Sequence, residues 1–165
     1  MIVDAPYPDP FDLSCDAYSL HVISPAYATA ESELNAILQY VYHSFFFAAR
    51  GKDDIAETLV SIAIAEMLHL DLLGKSILTL GAQPIYTAQP AAPFQFYSTK
   101  YVGYGSSLKT MVEDDIRGEQ HAISSYERML TRLRNEKVKE IIARILEDER
   151  LHLTALQGIL KEITC

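Results

Sequence analysis

Four stretches of the chain repeat apolar residues at the three- and four-residue steps of an amphipathic helix. The spacing predicts a first helix from about Ala26 to Arg50, with Gly51 as its stop. A second starts near Asp53 and Asp54, good N-cap residues, and ends before Gly81. Ser106 and Ser107 open a third, Asn135 breaks it from a fourth, and the fourth runs to near the C-terminus. Between about Ala82 and Gly105 the period lapses, and Pro84, Pro90 and Pro93 punctuate a run rich in aromatics. An irregular connection of that length is uncommon unless it has a task. Here the task is to cross the bundle, so that the third helix runs parallel to the second. Residues 1–25 are different again: Met1 to Phe11 holds three prolines and no helical period, which reads as an extended arm. The expected fold is all-α: two helical hairpins joined by a long crossover form a four-helix bundle over 26–163, preceded by an extended N-terminal arm over 1–25.

Two of the apolar stripes are interrupted in the same way. Leu59, Ile62, Glu66, His69, Leu73, Ile77 and Leu80 share helical phase, as do Ile145, Glu149, His152, Leu156 and Ile159. A carboxylate and an imidazole inside a buried stripe are costly unless something pairs with them. Each interruption is a Glu-x-x-His, and residues at i and i+3 lie on one face of a helix. Each follows a lone glutamate: Glu33 precedes Glu66 by 33 residues, and Glu119 precedes Glu149 by 30. Four helices turning Glu33, Glu66, His69, Glu119, Glu149 and His152 inward would hold two metal ions between them. Distance along the helices is consistent with this. Glu33 and Glu66 fall ~25 and ~18 Å from the first hairpin turn, and Glu119 and Glu149 ~24 and ~21 Å from the second.

Other acids compete for the lone-glutamate places: Glu31, Asp114, Asp115, Glu147 and Asp148 read as solvated or capping charges. Glu33 and Glu119 are preferred because each is followed seven residues later by a tyrosine, Tyr40 and Tyr126. Seven residues is about two turns, so each tyrosine shares its glutamate's face and can hydrogen-bond a ligand from outside. The plainer alternative is that both are packing aromatics. His21, His43 and His121 fall off the ligand faces and read as structural or surface residues.

Composition narrows the rest. The chain has 165 residues, 49% of them hydrophobic, enough for one domain with a substantial core. A net charge of −8 without a Lys/Arg cluster speaks against nucleic-acid binding. The strongly apolar run Leu59–Leu80 resembles a membrane span, but Glu66, His69, Asp71 and Lys75 within it indicate a buried bundle helix. The start has neither a basic segment nor a continuous apolar one, so no secretory signal is read there. Cys15 and Cys165 form no C-x-x-C pair, which leaves no zinc knuckle or rubredoxin-type module and makes a reducing cytoplasm the default.

The stretches ESELNAILQY, AEMLHLDLLGKSILTLGAQP, RGEQHAISSYERML and EDERLHL resemble the ferritin-like superfamily, on its rubrerythrin and manganese-catalase side. The resemblance covers about Ser24 to Ile163. It implies that Glu33, Glu66, His69, Glu119, Glu149 and His152 stand at ligand positions, with the four glutamates also at the catalytic centre. Rubrerythrins carry a further glutamate three residues beyond the third-helix ligand, where this chain has Ala122. That departure removes the residue tied to their iron movement. Manganese catalases are longer than this chain.

A pair of redox metals about 3.5–4 Å apart supplies the two electrons that O–O cleavage needs, which zinc cannot do. The expectation is therefore two Fe or two Mn ions per chain acting on hydrogen peroxide or dioxygen in peroxide detoxification. Catalase chemistry needs no partner, whereas peroxidase chemistry needs an external electron donor. A ferroxidase or iron-handling role, and a coat-type protein with a stabilising metal site, are the alternatives. A homodimer is expected, and the arm is either disordered or wrapped around the body of a partner subunit.

Overall fold

A computed structural model describes residues 1–90 and 95–164, so Pro93 and Cys165 lie outside the described residues. Its helices are α1 (Ala17–Ile23), α2 (Glu33–Ala48), α3 (Asp53–Leu80), α4 (Leu108–Arg132) and α5 (Glu136–Thr164). Short 3-10 turns occupy Pro10–Asp12, Ser24–Ala26 and Thr99–Tyr101. Among the described residues there is no strand, only an isolated bridge between Thr87 and Phe96. No described helix is long and apolar enough to cross a membrane.

The four long helices are those the apolar period predicts, and their ends follow local chemistry. Ser107 and Thr110 close a reciprocal capping box at the start of α4. Gly81 ends α3 at φ 112°, a conformation open to glycine, and a Cβ there would meet the Cys15 sulfur at 2.9 Å. Asp53 and Asp54 fall in the first turn of α3 after Lys52 rather than at its cap, where their charge still favours the helix N-terminus.

Two boundaries differ from the expectation. The first long helix begins at Glu33, not near Ala26. Thr29 and Ser32 turn their hydroxyls onto the Pro25 and Thr29 carbonyls, and Ser32 caps the Asn35 amide. These side-chain bonds compete with helical ones and delay the start. The arm also contains a helix: α1 is capped by Asp16 and buries Leu20, Val22 and Ile23 against the bundle. Seven residues are too few for a period to stand out. Residues 1–9 hold no regular element and lie along α3 and α5.

α2 packs along α3 and α4 along α5, while α3 also lies beside α5 and α2 beside α4. His43 meets Asp115, Tyr40 meets Glu119, and Tyr126 meets Glu33, so α2 and α4 run in opposite directions. Because α3 reverses α2, α3 and α4 are parallel, and the crossover does what its length implied. It is tied down by Gln39, whose Oε1 accepts the Gly103 amide at 2.8 Å, and by His43, whose Nε2 donates to the Gly103 carbonyl at 2.6 Å.

The core comes in two apolar clusters. One gathers Leu73, Ile77, Leu80, Met129, Ile141, Ile142 and Ile145 with α1; the other gathers Phe47, Leu59, Ile62, Val112 and Leu156. On α3 the gap between them falls at Glu66 and His69, and on α5 at Glu149 and His152. The polar cluster thus lies at mid-bundle between two apolar layers.

Candidate metal centre

All six predicted side chains converge, and none is more than 4% exposed. Donor atoms of Glu33, Glu66, His69 and Glu149 lie within 4.8 Å of one another, as do those of Glu66, Glu119, Glu149 and His152. Glu66 and Glu149 belong to both groups, which places them between two candidate ion positions. His69 Nδ1 stands 3.0 Å from Glu66, 3.3 Å from Glu149 and 3.5 Å from Glu33. His152 Nδ1 stands 2.9 Å from Glu66, 3.4 Å from Glu149 and 3.6 Å from Glu119.

The donor set fits metal ions. Glu66 Oε1, Glu149 Oε1 and His152 Nδ1 are buried and have no hydrogen-bond partner. Although His152 Nδ1 and Glu66 Oε1 are 2.9 Å apart, they do not point at one another along a hydrogen bond. Both residues belong to one group whose donor atoms lie within 4.8 Å of one another. Four buried carboxylates would carry a charge of about −4, which two divalent cations neutralise. The titration behaviour reflects that crowding. Burial, reinforced by the charges of Glu149 and Glu66, pushes the Glu33 and Glu119 carboxyls well above the usual range. Burial opposes charging His152, but Glu149 and Glu66 outweigh it and raise the imidazole to about 10. Protons thus stand in where metal would sit, and metal uptake must release them.

The tyrosines hold carboxylates of the cluster, though not the ones on their own helices. The Tyr40 hydroxyl donates to Glu119 and the Tyr126 hydroxyl donates to Glu33. Each half of the bundle therefore steadies the lone glutamate of the other. Tyr126→Phe leaves a buried carboxylate oxygen short of a donor, at a cost of about 1–3 kcal/mol. A double-mutant cycle is expected to show coupling for Tyr126 with Glu33, and for Tyr40 with Glu119. Coupling confined to the same-helix pairs would contradict the exchange.

Three other features escape the sequence pattern. Asp148 is buried rather than solvated: it accepts from His69 Nε2 at 3.1 Å, the Val3 amide at 2.7 Å and the Tyr7 hydroxyl at 2.5 Å, and pairs with Arg144 at 2.9 Å. Burial pushes its carboxyl up, but these bonds outweigh it and hold the group well below the usual carboxylate range. A signal existed, since Ile141, Ile145, Asp148 and His152 lie on one helical stripe. Asp115 is buried as well, accepting from His43 Nδ1 and Gln39 Nε2, both at 2.8 Å. His43 is therefore a clamp for the crossover and not a ligand. Met1 is the third: its carbonyl oxygen accepts from His152 Nε2 at 2.8 Å, a long-range contact no local pattern announces. Glu31 and His121 face each other at the surface, 3.1 Å apart, and Asp114 pairs with Arg117.

A cavity of about 310 Å³ opens between α2 and α4 and reaches Glu33, Glu66, Glu119 and Glu149. Asn35, Gln39, Arg117, His121 and Ala122 are among its walls. A larger side chain at 122 would narrow it. The cluster is thus closed by apolar layers along the bundle axis and approachable from one side.

The Ferritin-like domain family matches residues 28–165. The chain belongs to the ferritin-like family, and its buried carboxylate–histidine cluster fits a two-metal site of the kind such bundles carry. A bacterioferritin from Desulfovibrio desulfuricans is 27% identical over 130 residues, covering 77% of this chain and 67% of that protein. Among solved structures, the wild-type manganese catalase KatB from Anabaena is similar with a TM-score of 0.78 at 21% identity, over 99% of this chain and 77% of that one. A second structure of KatB, from Anabaena PCC7120, gives 0.75 with the same identity and coverage.

Proposed function

We propose that this chain is a dinuclear metal oxidoreductase acting on hydrogen peroxide or dioxygen. Glu33, Glu66, His69, Glu119, Glu149 and His152 would hold two Fe or two Mn ions. The observation that carries the reading is the pair of four-residue donor groups sharing Glu66 and Glu149, beneath a cavity open on one side. The likeness to a manganese catalase supports peroxide as the substrate. When bound, two such ions supply the two electrons needed to cleave or form an O–O bond. The chain's own residues provide the rest. Glu66 and Glu149 fix the spacing between the two positions, and Tyr40 and Tyr126 keep Glu119 and Glu33 turned inward. The apolar layers exclude bulk water, and the cavity admits a small polar substrate. Ala122 leaves its wall without a further carboxylate.

A second reading is iron handling, favoured by the bacterioferritin relative. One experiment separates the two. The protein is produced with Fe and Mn both available, and metal content, oxygen release from peroxide and particle size are measured together. Two Mn per chain with oxygen release supports catalase-type chemistry. Two Fe per chain without oxygen release supports a peroxidase or oxidase fed by an external donor. A large hollow assembly that accumulates iron beyond two ions per chain would replace the proposal with iron handling.

A further inference from the structure

We infer that the N-terminal arm is part of the metal centre: the Met1 carbonyl oxygen is the group that orients His152, filling a gap left by the bundle's internal symmetry. The inference rests on the two-metal reading of the cluster. The two halves of the bundle correspond at an offset that places Glu66 with Glu149 and His69 with His152. At that offset Ala65 corresponds to Asp148, and Ser61 to Arg144.

On one side the arrangement is complete. His69 turns Nε2 to Asp148, and Asp148 is paired with Arg144. On the other side the carboxylate is missing, because position 65 is a fully buried alanine. His152 Nε2 donates to the Met1 carbonyl oxygen instead. The Met1 nitrogen donates to the Ser61 carbonyl and hydroxyl oxygens at 2.5 and 2.8 Å. One residue of the arm thus occupies both places of the absent Arg–Asp pair. The next residues hold the complete side: the Val3 amide and Tyr7 hydroxyl donate to Asp148, and Arg144 donates to the Val3 and Ala5 carbonyls.

The two orienting groups are chemically unequal. A carboxylate draws on the imidazole N–H and strengthens the opposite nitrogen as a ligand more than a neutral carbonyl does. The His69 position therefore binds its ion first. The His152 position binds second, and only it depends on the seating of Met1.

The test uses the full chain, and a chain without Met1 and Ile2 whose first residue is Val3→Met. The shorter chain loses the carbonyl but keeps a nitrogen donor near Asp148. Mn(II) is titrated into metal-free protein, and bound ions are followed by electron paramagnetic resonance, which separates lone from paired Mn(II). The full chain is expected to bind two ions in two steps of different affinity. The shorter chain is expected to keep the first step and to weaken the second about 10–100-fold, with unchanged helical circular dichroism. Adding Ala65→Asp to the shorter chain puts a carboxylate into the vacated space and is expected to restore the second ion. The role of the arm is overturned by two equivalent steps in the full chain, by a shorter chain that binds both ions as tightly, or by failure of Ala65→Asp to restore binding. The first of these outcomes needs no variant to fold. A full chain that takes up no ion pair at all would instead remove the two-metal reading beneath the inference.

Discussion

Glu66→Ala is expected to strip both metal ions from the chain at once. Glu66 contributes to both donor groups, one carboxylate oxygen lying 3.0 Å from His69 Nδ1 and the other 2.9 Å from His152 Nδ1. Removing it cuts both positions from four ligands to three at once, and the imidazoles lose the charge that sits between them. Glu33 and Glu119 offer the contrast, since each belongs to one group only. Glu33→Ala and Glu119→Ala should each leave about one ion per chain, because the other position keeps all four of its ligands. Metal analysis of the purified variants reads the difference directly. Two ions retained by Glu66→Ala would mean that the metals do not sit between the two Glu-x-x-His pairs.

Removing the metal from the native chain should lower its melting temperature by roughly 10–20 °C. An ion present at about 100 times its dissociation constant stabilises the folded state by ~2.7 kcal/mol, and two do so by roughly twice that. For a domain of this size each kcal/mol moves the midpoint by about 2–4 °C. The pH dependence has a definite sign. In the metal-free chain His152 is raised from its ordinary 6.5 to about 10. The stability it contributes is full below about pH 6.5 and is lost as pH rises through 10. Metal-loaded protein has the cation in place of that proton. The gap between loaded and metal-free midpoints should therefore widen from pH 6 to pH 9. Calorimetry before and after chelation measures it, and a gap that is absent or narrows with pH would remove metal from the balance of forces that holds the core.

Legibility of the fold varied with the range of the interactions involved. The 3.6-residue period of α3 and α5 exposed the bundle because it is repeated over many turns, and Gly51, Gly81 and Ser107 marked ends through chemistry confined to a few residues. α2 starts at Glu33 rather than Ala26 because the Thr29 and Ser32 hydroxyls compete with the helix in a way composition alone does not weigh. Helix α1 is not visible as a separate element in the arm's sequence because its seven residues carry too little period. Asp115 and Asp148 looked like surface acids for a related reason. Their partners His43, Gln39, His69, Arg144 and Tyr7 lie mostly on other elements, and a buried charge is recognised by its partners.

The candidate site divides along the same line. Glu66, His69, Glu149 and His152 were set by the sequence itself, since an i, i+3 pair inside an apolar stripe has one face to occupy and must be compensated there. The choice of Glu33 and Glu119 over their acidic neighbours also followed from local spacing, through the seven-residue step to tyrosine. Only the tertiary structure decided that each tyrosine serves the opposite glutamate, that Asp148 backs His69, and that Met1 backs His152. Those contacts join residues 79 to 151 positions apart. They depend on how the helices cross and where the arm is laid down. Helical phase fixes which way a side chain points, and packing fixes what it meets.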